Sequence, residues 1–120
     1  DRLSDRVIGL AIAVHRELGP GLLESAYETC LAYELDHAGI LYQRQVALPV
    51  SYKDVELDCG YRLDLLIDGT LIVELKTVEP ISRLHKAQLL TYLRLSRLST
   101  GLILNFNAAT LKDGIHRMVL

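Results

Sequence analysis

Cysteine is scarce in this sequence, and the two present, Cys30 and Cys59, form no CxxC pair. That spacing speaks against a disulfide framework and a thiolate metal site. The expectation is two buried free thiols, one on a helix and one in a strand, in a reducing cytoplasm. No apolar run approaches the roughly 20 residues of a membrane span. No basic-then-apolar leader is visible, and the chain opens at Asp1 without a methionine, as a trimmed N-terminus would. Thirteen Lys and Arg against fifteen Asp and Glu leave a net charge of −2. That balance argues against strong non-specific duplex binding but leaves room for a local basic surface. His15, His37, His85 and His116 are dispersed, and HExxH, GxSxG, Walker and GxGxxG motifs are all missing. Gly19-Pro20-Gly21 lacks the lysine of a phosphate loop and reads as a turn.

What is present is a chain of 120 residues, half of them hydrophobic, long enough for one core and one domain over 1–120. Ser4 can cap a helix to about Leu18, with an apolar stripe of Val7, Ile8, Ala11, Ile12 and Leu18. A second helix is expected from about Leu22 to Ala38, ended by Gly39. Glu24 falls in its first turn, where the helix dipole favours a carboxylate; Tyr27, Glu28 and Leu31 follow on the same side. A strand runs from Leu41 to Val50, Tyr52-Lys53-Asp54 turns, and Val55 to Cys59 leads into a hairpin over Tyr61 to Lys76. Ser82 can cap a third helix to about Ser99. A strand over Leu102 to Phe106, a loop or short turn to Gly114, and a last strand over Ile115 to Leu120 complete the reading.

The hairpin YRLDLLIDGTLIVELK organises the rest. Side chains alternate along a strand, so Glu74 and Lys76 share a face with Ile72, while Val73, Leu75 and Thr77 point the other way. Asp64 shares a face with Arg62 and Leu66, opposite Leu63, Leu65 and Ile67. Turn parity decides whether the two acids meet. A two-residue loop at Asp68-Gly69 would put them on opposite faces. An odd loop, such as Ile67-Asp68-Gly69 with Gly69 left-handed, puts them on one face, and this is the expectation.

On the third helix His85, Gln88 and Tyr92 fall within about 60° of one another. Arg83, Lys86, Arg94 and Arg97 lie opposite. Gln88 and Tyr92 are assigned to the hairpin acids with His85 close by, which turns the basic face away as a solvated surface or a separate contact.

Two carboxylates sharing a site repel unless a cation lies between them. A hard divalent ion suits them, because it takes oxygen ligands and keeps waters that a phosphate can replace. Lys76 beside it can orient or deprotonate a water or offset charge on a phosphoryl oxygen. The bland alternative is a cross-strand Asp64–Lys76 ion pair on a solvated sheet face.

Asp64, Glu74-Leu75-Lys76 and Gln88-Leu89-Leu90-Thr91-Tyr92 together resemble the D…ExK…QxxxY series of the PD-(D/E)XK nuclease superfamily, particularly its RecB-like branch. The Gly-Tyr-Arg-Leu-Asp context of Asp64 is close to the G-x-x-D of that branch. Gly21-Leu22-Leu23-Glu24-Ser25-Ala26-Tyr27 is similar to the motif that names the GxxExxY proteins, a small bacterial group of that superfamily. The likeness extends from about Val7 to Leu120 and includes Asn105-Phe106.

The resemblance implies an α/β chain with a mixed α+β sheet: a restriction-endonuclease-like αβββαβ core, an extra N-terminal helix, and the active site on one edge of the sheet. It implies that Asp64, Glu74 and the carbonyl of Leu75 hold Mg2+ or Mn2+, with Glu24 reaching the metal directly or through water. Lys76 would activate or position the water, and Gln88 and Tyr92 would support the site or hold nucleic acid. The function so implied is a Mg2+-dependent cytoplasmic nuclease acting on nucleic acid, DNA foremost, with a homodimer plausible. The alternative is a catalytically inactive nuclease-fold module for nucleic-acid binding or dimerisation, using the basic face of the third helix and exposed strand edges.

Overall fold

The computed structural model describes residues 2–120. Helix α1 (Arg2–Leu18) buries Val7, Ala11 and Val14, one helical face at intervals of four and three. Ser4 lies inside this helix and is buried, so it does not cap it; Leu18, placed in the apolar stripe from sequence, is exposed. Gly19, with φ +69°, follows the end of α1, and α2 (Glu24–His37) packs in the same apolar cluster as α1. Its apolar residues, Tyr27, Leu31 and Leu35, are buried against the sheet.

The sheet has five strands in the order β1 (Tyr42–Ala47), β4 (Arg62–Ile67), β5 (Leu71–Lys76), β6 (Thr100–Asn105), β7 (Ile115–Val119). Only β5 and β6 pair in parallel, joined by α3 (Arg83–Ser96) as the crossover that a parallel pair requires. The result is a mixed α+β sheet with three helices, in which α1 precedes the αβββαβ order expected from the sequence. Ser82 caps α3 as its sequence suggests: its hydroxyl accepts from the His85 N–H at 3.2 Å, and His85 Nδ1 accepts from the Ser82 N–H at 3.0 Å.

Two apolar layers flank the sheet. One joins α1 and α2 to Leu65, Ile67, Val73, Leu75, Leu102 and Leu104. The other joins Leu89, Tyr92 and Leu93 of α3 to Leu63, Ile72 and Ile103. Leu63 therefore packs on the side opposite Leu65, contrary to simple alternation. The change of side coincides with Gln45 on the neighbouring strand, which has φ +50° at the one step of the β1–β4 register left unpaired. Strict period-two reasoning fails there because the backbone leaves the β region.

Two further expectations change. Val55 does not simply lead into the central hairpin: β2 (Val50–Tyr52) and β3 (Val55–Leu57) form a separate two-stranded ribbon, turning where Lys53 has φ +55°. Cys59 is exposed and lies outside any strand, and Cys30 on α2 is only half-buried, so neither thiol is a core residue; both are free. Gly114 serves the packing behind the sheet, because a Cβ there would stand 2.2 Å from the Asn105 carbonyl oxygen.

Candidate active site

The β4–β5 hairpin pairs Leu65 with Val73, Leu66 with Ile72 and Ile67 with Leu71. Its loop is the odd one, Asp68-Gly69-Thr70, one residue later than the loop sketched from sequence, with Asp68 and Gly69 both left-handed (φ +52° and +65°). One more step of that register sets Asp64 opposite Glu74, and there the regular pairing stops. The side chains take over: the Asp64 N–H donates to Glu74 Oε2 at 2.8 Å, and the Leu75 N–H donates to Asp64 Oδ2 at 2.8 Å. Each carboxylate is thus fixed by a backbone amide of the opposing strand. The acids stand in the second and third strands of the sheet, at the point where the ladder opens, and not on an edge strand.

Glu74 is 6% exposed. Burial first, then the charge of Asp64, lifts its pKa to about 8, against the opposing pull of the Asp64 N–H and Lys76. Burial likewise raises Asp64, with Glu28 adding to the effect and the Leu75 N–H, Gln45 and Lys76 opposing it. Lys76 is half-buried next to both acids in electrostatic terms, yet the ion pairs among the described residues are Arg44–Glu28 and Arg117–Asp5. The bland reading, an Asp64–Lys76 salt bridge, is not formed.

Tyr92 reaches the same place from α3. Its phenol is pushed above the ordinary tyrosine range by burial and then by Glu74, Tyr61 and Asp64. Gln88, one turn earlier, is half-buried and shares a groove wall with Tyr92 and His85. Arg83, Arg94 and Arg97 are exposed, and Lys86 lies near His116 of β7. Glu24 is the more distant member: it is exposed at the start of α2, and its charge is the last of the influences that raise Glu74. Among the described residues no three Asp, Glu, His or Cys side chains converge as a metal cluster.

The sequence of residues 1–118 matches the family model of the PD-(D/E)XK nuclease superfamily. The chain belongs to that superfamily. No curated protein and no solved structure matches it. Membership in a nuclease superfamily implies a nucleic-acid substrate, and no helix among the described residues is long and apolar enough to cross a membrane.

Within this superfamily chain, two residues that brace the acid pair and its flanks were given no role from sequence, although Asn105 was noted in the family likeness. Glu28, 7% exposed, accepts from Arg44 Nε at 3.0 Å and from Gln45 Nε2 at 2.7 Å; the same Gln45 amide donates to Asp64 Oδ1 at 3.3 Å. Its spacing of four from Glu24 was the available signal, since it places both acids on one side of the helix. Asn105 is the other. Its amide donates to the carbonyls of Val78 and Glu79 and accepts from the N–H groups of Val78 and Asn107, fixing the segment that leaves Lys76.

The Gly21-to-Tyr27 motif also gains a structural account. Gly21 adopts φ +109°, which strains any other residue. The Tyr27 hydroxyl donates to the Gly19 carbonyl at 2.6 Å and accepts from the Leu22 N–H at 3.1 Å, while its ring stacks on Phe106 at 4.3 Å. Tyr27 therefore pins the turn that leads into α2, whose first residue is Glu24.

Proposed function

We propose that this chain is a Mg2+- or Mn2+-dependent nuclease that hydrolyses phosphodiester bonds of nucleic acid, with DNA as the expected substrate. The observation that carries the reading is the pairing of buried Glu74 with Asp64 where the ladder opens, each carboxylate held by an opposing amide and neither neutralised by a salt bridge. Two acids brought together at that energetic cost fit a function that supplies a cation.

The donor set fits a hard divalent ion: two carboxylates and the Leu75 carbonyl are oxygen donors, and such ions commonly retain water. Asp64, Glu74 and Leu75 would hold it, with Glu24 completing the set through water from the exposed start of α2. When bound, the ion supplies Lewis acidity toward a phosphoryl oxygen and toward the attacking water. The protein's own part is positional. Asp64 and Glu74 are preorganised by backbone hydrogen bonds, so no rearrangement of the strands is needed to present them. Lys76, two residues after Glu74 on β5 and lowering the pKa of both acids, would orient the attacking water or offset charge developing on the phosphate. Tyr92 and Gln88 line the approach from α3 and would hold the substrate.

The reading is tested by isothermal titration of Mn2+ into the wild type and Asp64→Asn, paired with a cleavage assay on DNA in Mg2+. Binding and cleavage by the wild type, both lost in the variant, are expected. Cleavage retained by Asp64→Asn overturns the mechanism.

A further inference from the structure

A groove of about 600 Å³ runs along α3 beside the segment that enters β4. Its walls include Tyr61, Leu84, Gln88, Thr91, Tyr92 and Leu95. Tyr92 also packs in one apolar cluster with Leu63, next to Asp64 on β4, and Ile72, two residues before Glu74 on β5. This side chain therefore stands between the groove and the strands that carry the acids. The lining is mainly apolar and aromatic, which suits a flat ring more than a sugar-phosphate chain.

Two details point to the ring's chemistry. Tyr61 meets Tyr92 edge-on, with ring centroids 6.0 Å apart at 62°, yet Tyr61 is 44% exposed while Tyr92 is 7% exposed. A tyrosine braced at its inner side and open at its outer side is a stacking platform. Gln88 adds an amide, which carries a donor and an acceptor side by side and so can pair with the hydrogen-bonding edge of a base. Arg62 follows Tyr61 and precedes Asp64 by two residues; it is exposed, and its guanidinium rests on the Tyr61 carbonyl at 3.2 Å. With Lys76, two residues after Glu74 on β5, it puts a positive side chain on each of the two strands that carry the acids, which suits a backbone phosphate.

We propose that this groove receives one unstacked nucleobase of a single-stranded nucleic acid, whose adjoining phosphodiester lies at Asp64 and Glu74. The proposal rests on the nuclease reading of the acid pair. A paired base reaches such a groove only after leaving its stack, which costs about a few kcal/mol, whereas a single strand meets no such barrier. A net charge of −2 gives little counterion-release drive toward duplex, and base stacking is a sequence-tolerant substitute for it.

The test measures fluorescence anisotropy of a labelled thymidine strand, and of the matching duplex, with Glu74→Gln protein so that cleavage does not intervene. Single strand should bind at least about tenfold tighter than duplex. Tyr61→Ala and Leu84→Glu, added to that background, should each weaken single-strand binding about 5- to 100-fold, with Tyr61→Phe close to the parent. Leu84 is 77% exposed, so its substitution leaves the core untouched. Equal affinity for the two forms, or unchanged affinity in both groove variants, overturns the proposal. Failure of the nuclease reading registers separately: wild type cleaves neither form in Mg2+ or Mn2+ while the binding pattern persists, and the groove then stands as a single-strand site without catalysis.

Discussion

Asp64 and Glu74 hold each other's strands: Glu74 Oε2 accepts the N–H of Asp64, and Asp64 Oδ2 accepts the N–H of Leu75, both at 2.8 Å. The regular ladder ends one residue earlier, so these side chains replace the backbone bonds that the divergence of β4 and β5 would leave unmade. The arrangement fixes two carboxylates within one site without a salt bridge to either. Glu74 commits one oxygen to a backbone amide, whereas both oxygens of Asp64 accept, Oδ2 from the Leu75 N–H and Oδ1 from the Gln45 amide at 3.3 Å.

Because burial and Asp64 raise Glu74 to about 8, folding of the metal-free protein is linked to pH. A carboxyl with a raised folded pKa binds its proton more tightly in the native state. Its contribution is fully present below the unfolded value of 4.5 and is lost as pH rises through about 8. Thermal melts of metal-free protein across that window should show falling stability, and Glu74→Gln should flatten the fall. A wild-type profile that rises over the same range contradicts the assignment.

A divalent ion needs Glu74 ionised, so its binding expels a proton over the same range. Apparent Mn2+ affinity should drop by about tenfold per pH unit below the Glu74 value. Titration in two buffers of different ionisation enthalpy reads the proton release directly. An affinity independent of pH between about 6 and 8 would mean that Glu74 is not a ligand.

The sequence made the site legible to the extent that parity and helix period govern it. Gly69 allowed a left-handed loop, an odd loop brought Asp64 and Glu74 together, and a spacing of four put Gln88 and Tyr92 on one wall of the groove along α3. Local departures from regular backbone were not legible. A glutamine with positive φ at Gln45, with Leu63 packed opposite Leu65, has no signature in residue type, because glutamine is an ordinary strand or helix residue. The same applies to Cys59, whose exposure follows from β2 and β3 forming their own ribbon. Glu28 was hidden for another reason: on a helix surface an acid is usually solvated, and only its Arg44 and Gln45 partners, from a distant strand, mark it as buried.

Those partners predict an asymmetry. Arg44 is 39% exposed in its side chain and Glu28 10%, so Arg44→Ala leaves a nearly buried carboxylate short of its cation. Urea denaturation should show a loss of about 1–3 kcal/mol, less than a fully buried pair would give because Arg44 is partly solvated. Glu28→Gln should cost less, since an amide oxygen still accepts from Gln45. The double variant should recover much of the Arg44→Ala loss. Purely additive losses would place Glu28 outside the network that supports Asp64.

At Gly114 a Cβ would lie 2.2 Å from the Asn105 carbonyl oxygen and 3.2 Å from its Cβ. No flexible side-chain end can yield there, since the obstacle is backbone. Gly114→Ala should therefore destabilise by about 1–3 kcal/mol or more. It should also loosen the segment after Lys76, because Asn105 is what ties that segment down. Hydrogen exchange at Val78 reads the second effect independently of the first. Wild-type protection at Val78 in a destabilised Gly114→Ala would separate Asn105 from the positioning of Lys76.

Lys76 separates binding from chemistry. Its positive charge lowers the pKa of both Asp64 and Glu74, although it pairs with neither. A cation so placed opposes a second cation in the same site, so Lys76→Ala should bind Mn2+ at least as tightly as wild type. Cleavage should nonetheless fall by about 10²-fold or more, the scale of a lost proton-transfer or charge-stabilising group. Weakened metal binding with unchanged turnover at saturating metal is the pattern of a merely structural lysine. Metal binding retained or strengthened, with turnover lost, fits a residue that acts on the water or the phosphate, because no fold or affinity defect then accounts for the lost rate.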